Sequence, residues 1–205
     1  MSANLTSPAL DRMYPFLSEV AAMRRRTRHH IRTRAVDSPA AIAALLNAPL
    51  VTELVCVARY RSHATRLGES IAETVRNEFL KYALEEQGHA NALAARIRDL
   101  GGEAIQEAPV LAANADVYDG EEVDADRLAD LLEEDLIAER IAIESYREIL
   151  QYVGAHDAAT HRLIESILAV ELTHAKELAA MRAEVLRRER PSGATSTRLP
   201  RLEVS

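Results

Sequence analysis

Cysteine, aromatic residues and glycine are all scarce in this 205-residue sequence. A single cysteine, Cys56, rules out an intrachain disulfide framework and any metal site built from several thiolates. Tryptophan does not occur, aromatic residues make up only 4% of the chain, and there are 7 glycines. Because helix-forming Ala, Leu, Glu and Arg dominate what remains, the composition indicates an all-α protein.

Acidic residues outnumber basic ones, 32 to 25, and long apolar runs are scarce. The formal charge of −7 argues against nucleic acid as the partner of the whole surface, although the run RRRTRHHIRTR, Arg24–Arg34, is strongly basic. No uninterrupted apolar run approaches about 18 residues, so we expect no membrane-spanning segment. The N-terminal residues lack a signal-peptide pattern, and we therefore expect a cytoplasmic protein.

Apolar periodicity predicts four long helices, at about 48–67 (with a leading turn from 39), 71–100, 124–153 and 157–188. Ser38 and Pro39 are typical of a helix start, whereas Pro49 predicts a kink or restart near Asn47. Gly101-Gly102 and Gly154 predict helix ends. We expect a flexible basic arm over 1–36, a helical bundle over 37–188 and a disordered tail over 189–205.

The four helices form an internal repeat of two hairpins. The pattern E-x-x-H-A-x-x-L-A-A begins at Glu86 and again at Glu171, and a Glu and a Tyr seven apart precede each copy. The first Glu of each hairpin lies 33 or 32 residues before its E-x-x-H pair, so all four glutamates fall at one level of the bundle. The segment of about two dozen residues between the hairpins is then a long crossover.

Each repeated glutamate falls on the apolar stripe of its helix, where an isolated buried carboxylate costs several kcal/mol. Two divalent cations would cancel the charge of four carboxylates. An oxygen-rich set with one imidazole per metal and no thiolate favours iron, with manganese as the alternative. Tyr60 and Tyr146 fall near the centre, either as hydrogen-bond donors to a ligand or as core residues. The candidate metal-binding and catalytic residues are Glu53, Glu86, His89, Glu139, Glu171 and His174.

The segment from about residue 41 to 183 resembles the ferritin superfamily, specifically its bacterioferritin and Dps-like branch. The segments LLNAPLVTELVCVARYRSHA, LEEQGHANALAARIRDLGGEA, EEDLIAERIAIESYREIL and ILAVELTHAKEL carry the resemblance. It implies a ferritin-like four-helix bundle and a ferroxidase centre that oxidises Fe(II) with O₂ or H₂O₂, storing ferric mineral in a hollow shell. By position, Glu53 and Glu139 match the terminal glutamates, Glu86 and Glu171 the bridging ones, and His89 and His174 the histidines.

The sequence also departs from that family in ways that bear on cofactor and assembly. Gln87 stands where bacterioferritins carry the haem-binding methionine, so haem is not expected. The polar tail contains Pro191 and Pro200 and shows no fifth helix, which favours a homo-oligomer of twelve over one of twenty-four. Many Dps-like proteins carry a cysteine pair near the site, but Cys56 has no partner. Typical Dps proteins place their iron site between subunits, whereas this ligand set is complete within one chain.

Two other classes of function remain open at this point. One is a different di-iron or di-manganese oxidoreductase, such as a peroxidase or catalase; the other is a nucleoid protein with a structural metal site. DNA binding through Arg24–Arg34 is compatible with the sequence but not favoured, because the rest of the chain is acidic. Four further residues lie near the candidate ligands. His63 is interpreted as a boundary residue or an outer-shell group, and Asp135 as a solvated or capping residue or one that guides ions inward. Glu85 and Glu134 are interpreted as surface residues.

Overall fold

The computed structural model describes residues 15–36, 38–67, 73–105 and 125–189. Five helices account for nearly all of these residues, which confirms the all-α class. The predicted crossover and C-terminal tail lie mostly outside the described residues, as do residues 1–14. The helices are α1 Pro15–Thr33, α2 Pro39–Arg66, α3 Glu73–Asp99, α4 Ala125–Val153 and α5 Ala158–Glu189.

Helices α2 to α5 form a bundle of two hairpins. Most contacts between helices join α2 to α3 and α4 to α5, and the hairpins meet along α2–α4 and α3–α5. The predicted bounds of α3, α4 and α5 agree with the structure to within two residues. Two apolar clusters fill the core, one at each end of the bundle, and the repeated glutamates lie between them.

The prediction of a flexible arm over residues 1–36 differs from the structure, because residues 15–33 form helix α1. This helix packs against α2 and α4 and buries one stripe, Leu17, Val20, Met23 and Thr27. These residues recur every three or four positions, as in an amphipathic helix. The dense arginine run concealed that stripe, since the arginines occupy the other faces of the same helix.

Of the kink or restart predicted near Asn47, the restart is wrong, because α2 is one helix that contains Pro49. Ser38 caps it as predicted, its Oγ accepting a hydrogen bond from the Ala41 N–H at 3.2 Å. An interior proline costs ~3 kcal/mol. Burial of Leu45, Leu46 and Leu50 around it in one apolar cluster offsets that cost.

Helix α2 also has the length and apolar composition of a membrane span. However, 72% of its most apolar window is buried inside the protein. The apolar surface of α2 is thus used by the other helices of the bundle, as a central core helix requires.

Two glycines end α3 and bring the chain against α2. Gly101 has a φ of 77° and its N–H bonds to the Arg98 carbonyl, while the Gly102 N–H bonds to the Ile97 carbonyl. This paired arrangement is the Schellman motif, which favours glycine at the left-handed position. A Cβ on Gly102 would lie 2.6 Å from the Ala43 Cβ, so only glycine permits this approach.

Asp157 joins the start of α5 to α3. Its Oδ1 accepts hydrogen bonds from the Ala159 and Thr160 N–H groups at 3.0 Å, as an N-cap does. Its Oδ2 accepts from Arg96 Nη2 at 2.5 Å, and Arg96 Nε donates to Thr160 Oγ1. One carboxylate therefore both caps a helix and fixes its distance from the neighbouring hairpin.

Replacing Asp157 by Ala should lower the free energy of unfolding by about 1–2 kcal/mol, since an N-cap and a partner for Arg96 are lost together. Asp99→Ala is the matched control, because Asp99 is 69% exposed and lies 4.0 Å from the same Arg96. That change should cost less than about 0.5 kcal/mol. Urea denaturation measures both, and equal losses would contradict the capping role of Asp157.

Candidate metal centre

A belt of polar side chains separates the two apolar clusters of the bundle. Four glutamates and one of the two histidines in this belt are no more than 2% exposed, and His89 is slightly more open. All six candidate ligands from the sequence lie in the belt. They are Glu53 on α2, Glu86 and His89 on α3, Glu139 on α4, and Glu171 and His174 on α5.

The six side chains divide into two groups that share two carboxylates. In each group, one ligand atom per residue lies within 4.8 Å of all the others. Glu86 and Glu171 belong to both groups, as two bridging ligands would. The first group adds Glu53 and His89, and the second adds Glu139 and His174.

Both imidazoles turn Nδ1 toward the shared carboxylates. His89 Nδ1 lies 3.0 Å from Glu171 and 3.1 Å from Glu86. His174 Nδ1 lies 3.1 Å from Glu86 and 3.6 Å from Glu171. Each ring also faces the third carboxylate of its own group, at 3.3 Å from Glu53 or 4.0 Å from Glu139. The arrangement has the approximate two-fold symmetry of the sequence repeat.

Tyr60 and Tyr146 bond across the hairpins to the two glutamates that are not shared. The Tyr60 hydroxyl donates to Glu139, and the Tyr146 hydroxyl donates to Glu53. Burial, followed by the charge of the bonded glutamate, raises the pKa of each phenol, so both stay protonated donors. Each tyrosine therefore holds a carboxylate that belongs to the other hairpin.

Without a cation, protons must balance the charge of this belt. Burial raises the pKa of Glu86 and of Glu139, and repulsion from Glu171 raises both further. Burial alone would raise the pKa of Glu171, but the neighbouring imidazoles of His174 and His89 lower it to about 2. Burial opposes protonation of His174, yet the neighbouring carboxylates, Glu171 first among them, raise its pKa to about 9.

Several ligand atoms in the belt have their hydrogen-bonding capacity unused. Glu86 Oε1, Glu171 Oε1 and His174 Nδ1 are buried and have no hydrogen bond of acceptable geometry. Orphaned buried atoms of this kind are rare in folded proteins. Their convergence on two points fits a pair of cations bound by carboxylate oxygen and imidazole nitrogen, so the residues present fit the group that the sequence predicts.

A second buried polar cluster lies beside the belt, between α2 and α4. Asp135 accepts from Arg59 Nε at 2.9 Å and lies 2.9 Å from His63 Nδ1, and both Asp135 and His63 are 1% exposed. Glu134 accepts a further bond from Arg59. The boundary position expected for His63, the solvated alternative for Asp135 and the surface position expected for Glu134, which is 16% exposed, are thus wrong. Arg59 was not identified from the sequence, because a single arginine on an apolar helix gives no sign of its partners.

The contact of Glu85 with His174, like that of Arg59 with Asp135, was not predicted from the sequence. Glu85 was interpreted as a surface group, and it is indeed 38% exposed, but its Oε2 lies 2.8 Å from His174 Nε2. This contact joins α3 to α5, so it depends on how the two hairpins pack and not on spacing within one helix. The sequence signal that existed was its place directly before Glu86.

Comparison with known proteins identifies the family of the chain. A model of the ferritin-like domain matches residues 43–187. The DNA protection during starvation protein of Pyrococcus furiosus is 38% identical over 118 residues, 56% of this chain and 60% of that protein's length. The match thus spans less than two thirds of that curated relative.

Two solved structures share the fold. The dodecameric thioferritin of Bacteroides fragilis, a bacterioferritin-related protein, superposes with a TM-score of 0.63 and 23% identity, covering 80% of this chain and 96% of that one. The bacterioferritin of Desulfovibrio desulfuricans gives a TM-score of 0.59 and 24% identity, covering 75% and 85%. With the family match over most of the chain, these findings show that the chain belongs to the ferritin family.

Proposed function

We propose that this chain is a ferroxidase that binds two Fe(II) ions as substrate in the belt and oxidises them with O₂ or H₂O₂. The observation that carries the proposal is the pair of four-ligand groups sharing Glu86 and Glu171. Two ions held by common carboxylates lie close enough to deliver two electrons to one oxidant. Two electrons reduce H₂O₂ to water or O₂ to H₂O₂, so the reaction balances within one chain.

The donor set selects the metal. Each group offers three carboxylates and one imidazole, which suits iron or manganese better than zinc or copper. Two divalent ions neutralise four carboxylates, and the belt then needs no bound protons for balance. The bound iron supplies the redox chemistry, while Tyr60 and Tyr146 hold the terminal carboxylates in a fixed orientation.

Storage requires an assembly, and for it we propose a homo-oligomeric shell, twelve subunits being favoured and twenty-four the alternative. The Bacteroides fragilis neighbour is described as dodecameric, and the Desulfovibrio desulfuricans neighbour as a bacterioferritin with a diiron site. The Pyrococcus furiosus relative is named for DNA protection during starvation. These names support iron storage as the physiological role, and we propose that it serves detoxification under oxidative stress in the cytoplasm.

Other uses of a dinuclear centre lead to different results. A manganese catalase or a peroxidase would carry the same ligands but would turn over peroxide without accumulating iron. A nucleoid protein with a structural metal would bind DNA and leave iron unoxidised. Metal content after growth on equal iron and manganese, together with the oxidation assay below, separates these classes.

Anaerobic titration of the full chain should saturate at two Fe(II) per chain, and O₂ or H₂O₂ should then oxidise both. Glu86→Ala removes a carboxylate common to both groups, so the initial oxidation rate should fall by more than about tenfold. Glu144→Ala is the control, because Glu144 lies on the surface and pairs with Arg147. Stopped-flow absorbance of Fe(III) measures the rate. Saturation at a number other than two would count against this site.

Fe(II) should also stabilise the fold, since it binds only where both hairpins meet. At a hundredfold excess over Kd, ligand binding adds about 2.7 kcal/mol, or roughly 5 °C or more in Tm for a chain of this size. Glu139→Gln should lose most of this shift, whereas Glu144→Gln, the same change on the same helix, should keep it. Anaerobic differential scanning fluorimetry measures Tm. An unchanged Tm in the unmutated protein would refute metal binding here.

DNA binding by the basic segment is the weaker expectation. Arg25, Arg26, Arg28 and Arg32 are exposed on α1, whereas Arg24 bonds to Glu148. Because the whole chain is acidic, we expect no binding to duplex DNA at about 150 mM salt. Fluorescence anisotropy with labelled DNA tests this. Binding that weakens steeply with salt and disappears in a combined Arg25→Ala and Arg26→Ala variant would reverse the expectation.

A further inference from the structure

The two imidazoles of the belt differ in the contacts of Nε2, the ring nitrogen that faces away from the shared carboxylates. His174 faces the shared carboxylates with Nδ1, and its Nε2 lies 2.8 Å from Glu85 Oε2. His89 also faces them with Nδ1, and every polar contact that it makes with the described residues is made by that atom. One ring is therefore held from both sides, and the other from the metal side alone.

The sequence repeat explains this difference. Glu85 directly precedes Glu86 and reaches the histidine of the opposite hairpin. In the second copy of the repeat, Glu171 replaces Glu86, and the residue that precedes it is Val170. A valine side chain has no atom that could accept a proton from an imidazole. The sequence therefore explains why His89 lacks the carboxylate partner that His174 has.

We infer that Glu85 is a positioning residue that makes the two metal positions unequal. The position formed with Glu139 and His174 binds the first Fe(II), and the position formed with Glu53 and His89 binds the second, more weakly. A carboxylate behind a ligand imidazole fixes its ring and tautomer and raises its basicity toward the metal. The inference rests on the proposed function, because it concerns how that site fills.

Burial points in the same direction. The His174 side chain is 1% exposed, whereas that of His89 is 12% exposed. The Tyr82 ring covers His174, with ring centroids 4.6 Å apart. An ion beside His89 has the shorter way to solvent, so the weaker position is also the one that exchanges faster.

Anaerobic isothermal titration calorimetry with Fe(II) tests the inference on the full apoprotein. The unmutated chain should show two binding events whose affinities differ by about tenfold or more. Glu85→Ala should weaken the tighter event by roughly 10–100-fold, so the two events merge. Glu85→Gln keeps an acceptor oxygen without its charge, and its affinity should fall between the two. Glu165→Gln is the control, because Glu165 pairs at 3.3 Å with the half-buried imidazole of His161, which is not one of the candidate ligands.

Variants with a single metal position assign the effect. In a His89→Ala background only the His174 position remains, and Glu85→Ala should weaken it. In a His174→Ala background, Glu85→Ala should have no effect on the remaining ion. Val170→Glu in that same background should tighten binding beside His89, since it supplies the carboxylate that the repeat lacks. The effect of Glu85→Ala on the position beside His174 decides the inference, whatever the result with Val170→Glu.

Failures of the inference and of the proposed function give different results. Fewer than two Fe(II) per unmutated chain would overturn the proposed function, and the inference with it. Two Fe(II) of equal affinity, or affinities unchanged by Glu85→Ala, would overturn the inference alone. A Glu85→Ala variant with a lower apoprotein Tm but unchanged affinities would show a purely structural role and would also overturn it.

Discussion

Mutual repulsion between carboxylates in an apolar bundle is the constraint on which the rest of this structure depends. Four glutamates lie at one level with almost no exposure, where an unpaired charge costs several kcal/mol. Two imidazoles and two phenols converge on them, and apolar clusters close the belt from both ends. Protons can balance these charges, and the unused ligand atoms of Glu86 and Glu171 support the proposal that a pair of cations does so instead.

Much of this could be predicted from the sequence, because the relevant signals are local or repeated. Periodicity placed Glu86 and His89 on the buried face of one helix, and the repeat placed Glu171 and His174 likewise on another. Equal distances from each turn then brought all the glutamates to one level, as the structure shows. Gly101-Gly102 ended α3 where expected, since a left-handed turn requires glycine at that point.

The remaining features depend on neighbours from other helices, which spacing along one helix does not specify. Helix α1 was missed because arginines dominate its sequence, although its buried stripe recurs at helical spacing. The restart predicted from Pro49 does not occur, because the free-energy cost of an interior proline is small beside the gain from burying the apolar residues around it. The ion pairs of Asp135 and the contact of Glu85 with His174 each join two helices, so a residue that looks solvated in sequence is specified only by the packed bundle.

Each four-ligand group draws on both hairpins, and Glu171 on the last helix belongs to both groups. If the belt binds iron as proposed, the chain therefore cannot capture a pair of ions during synthesis until α5 has left the ribosome and docked. A truncated chain that ends before α5 would fold, if at all, without the ability to sequester iron. Under the proposed function, iron is thus taken up only by chains in which α5 has docked, which keeps a redox-active metal away from nascent chains.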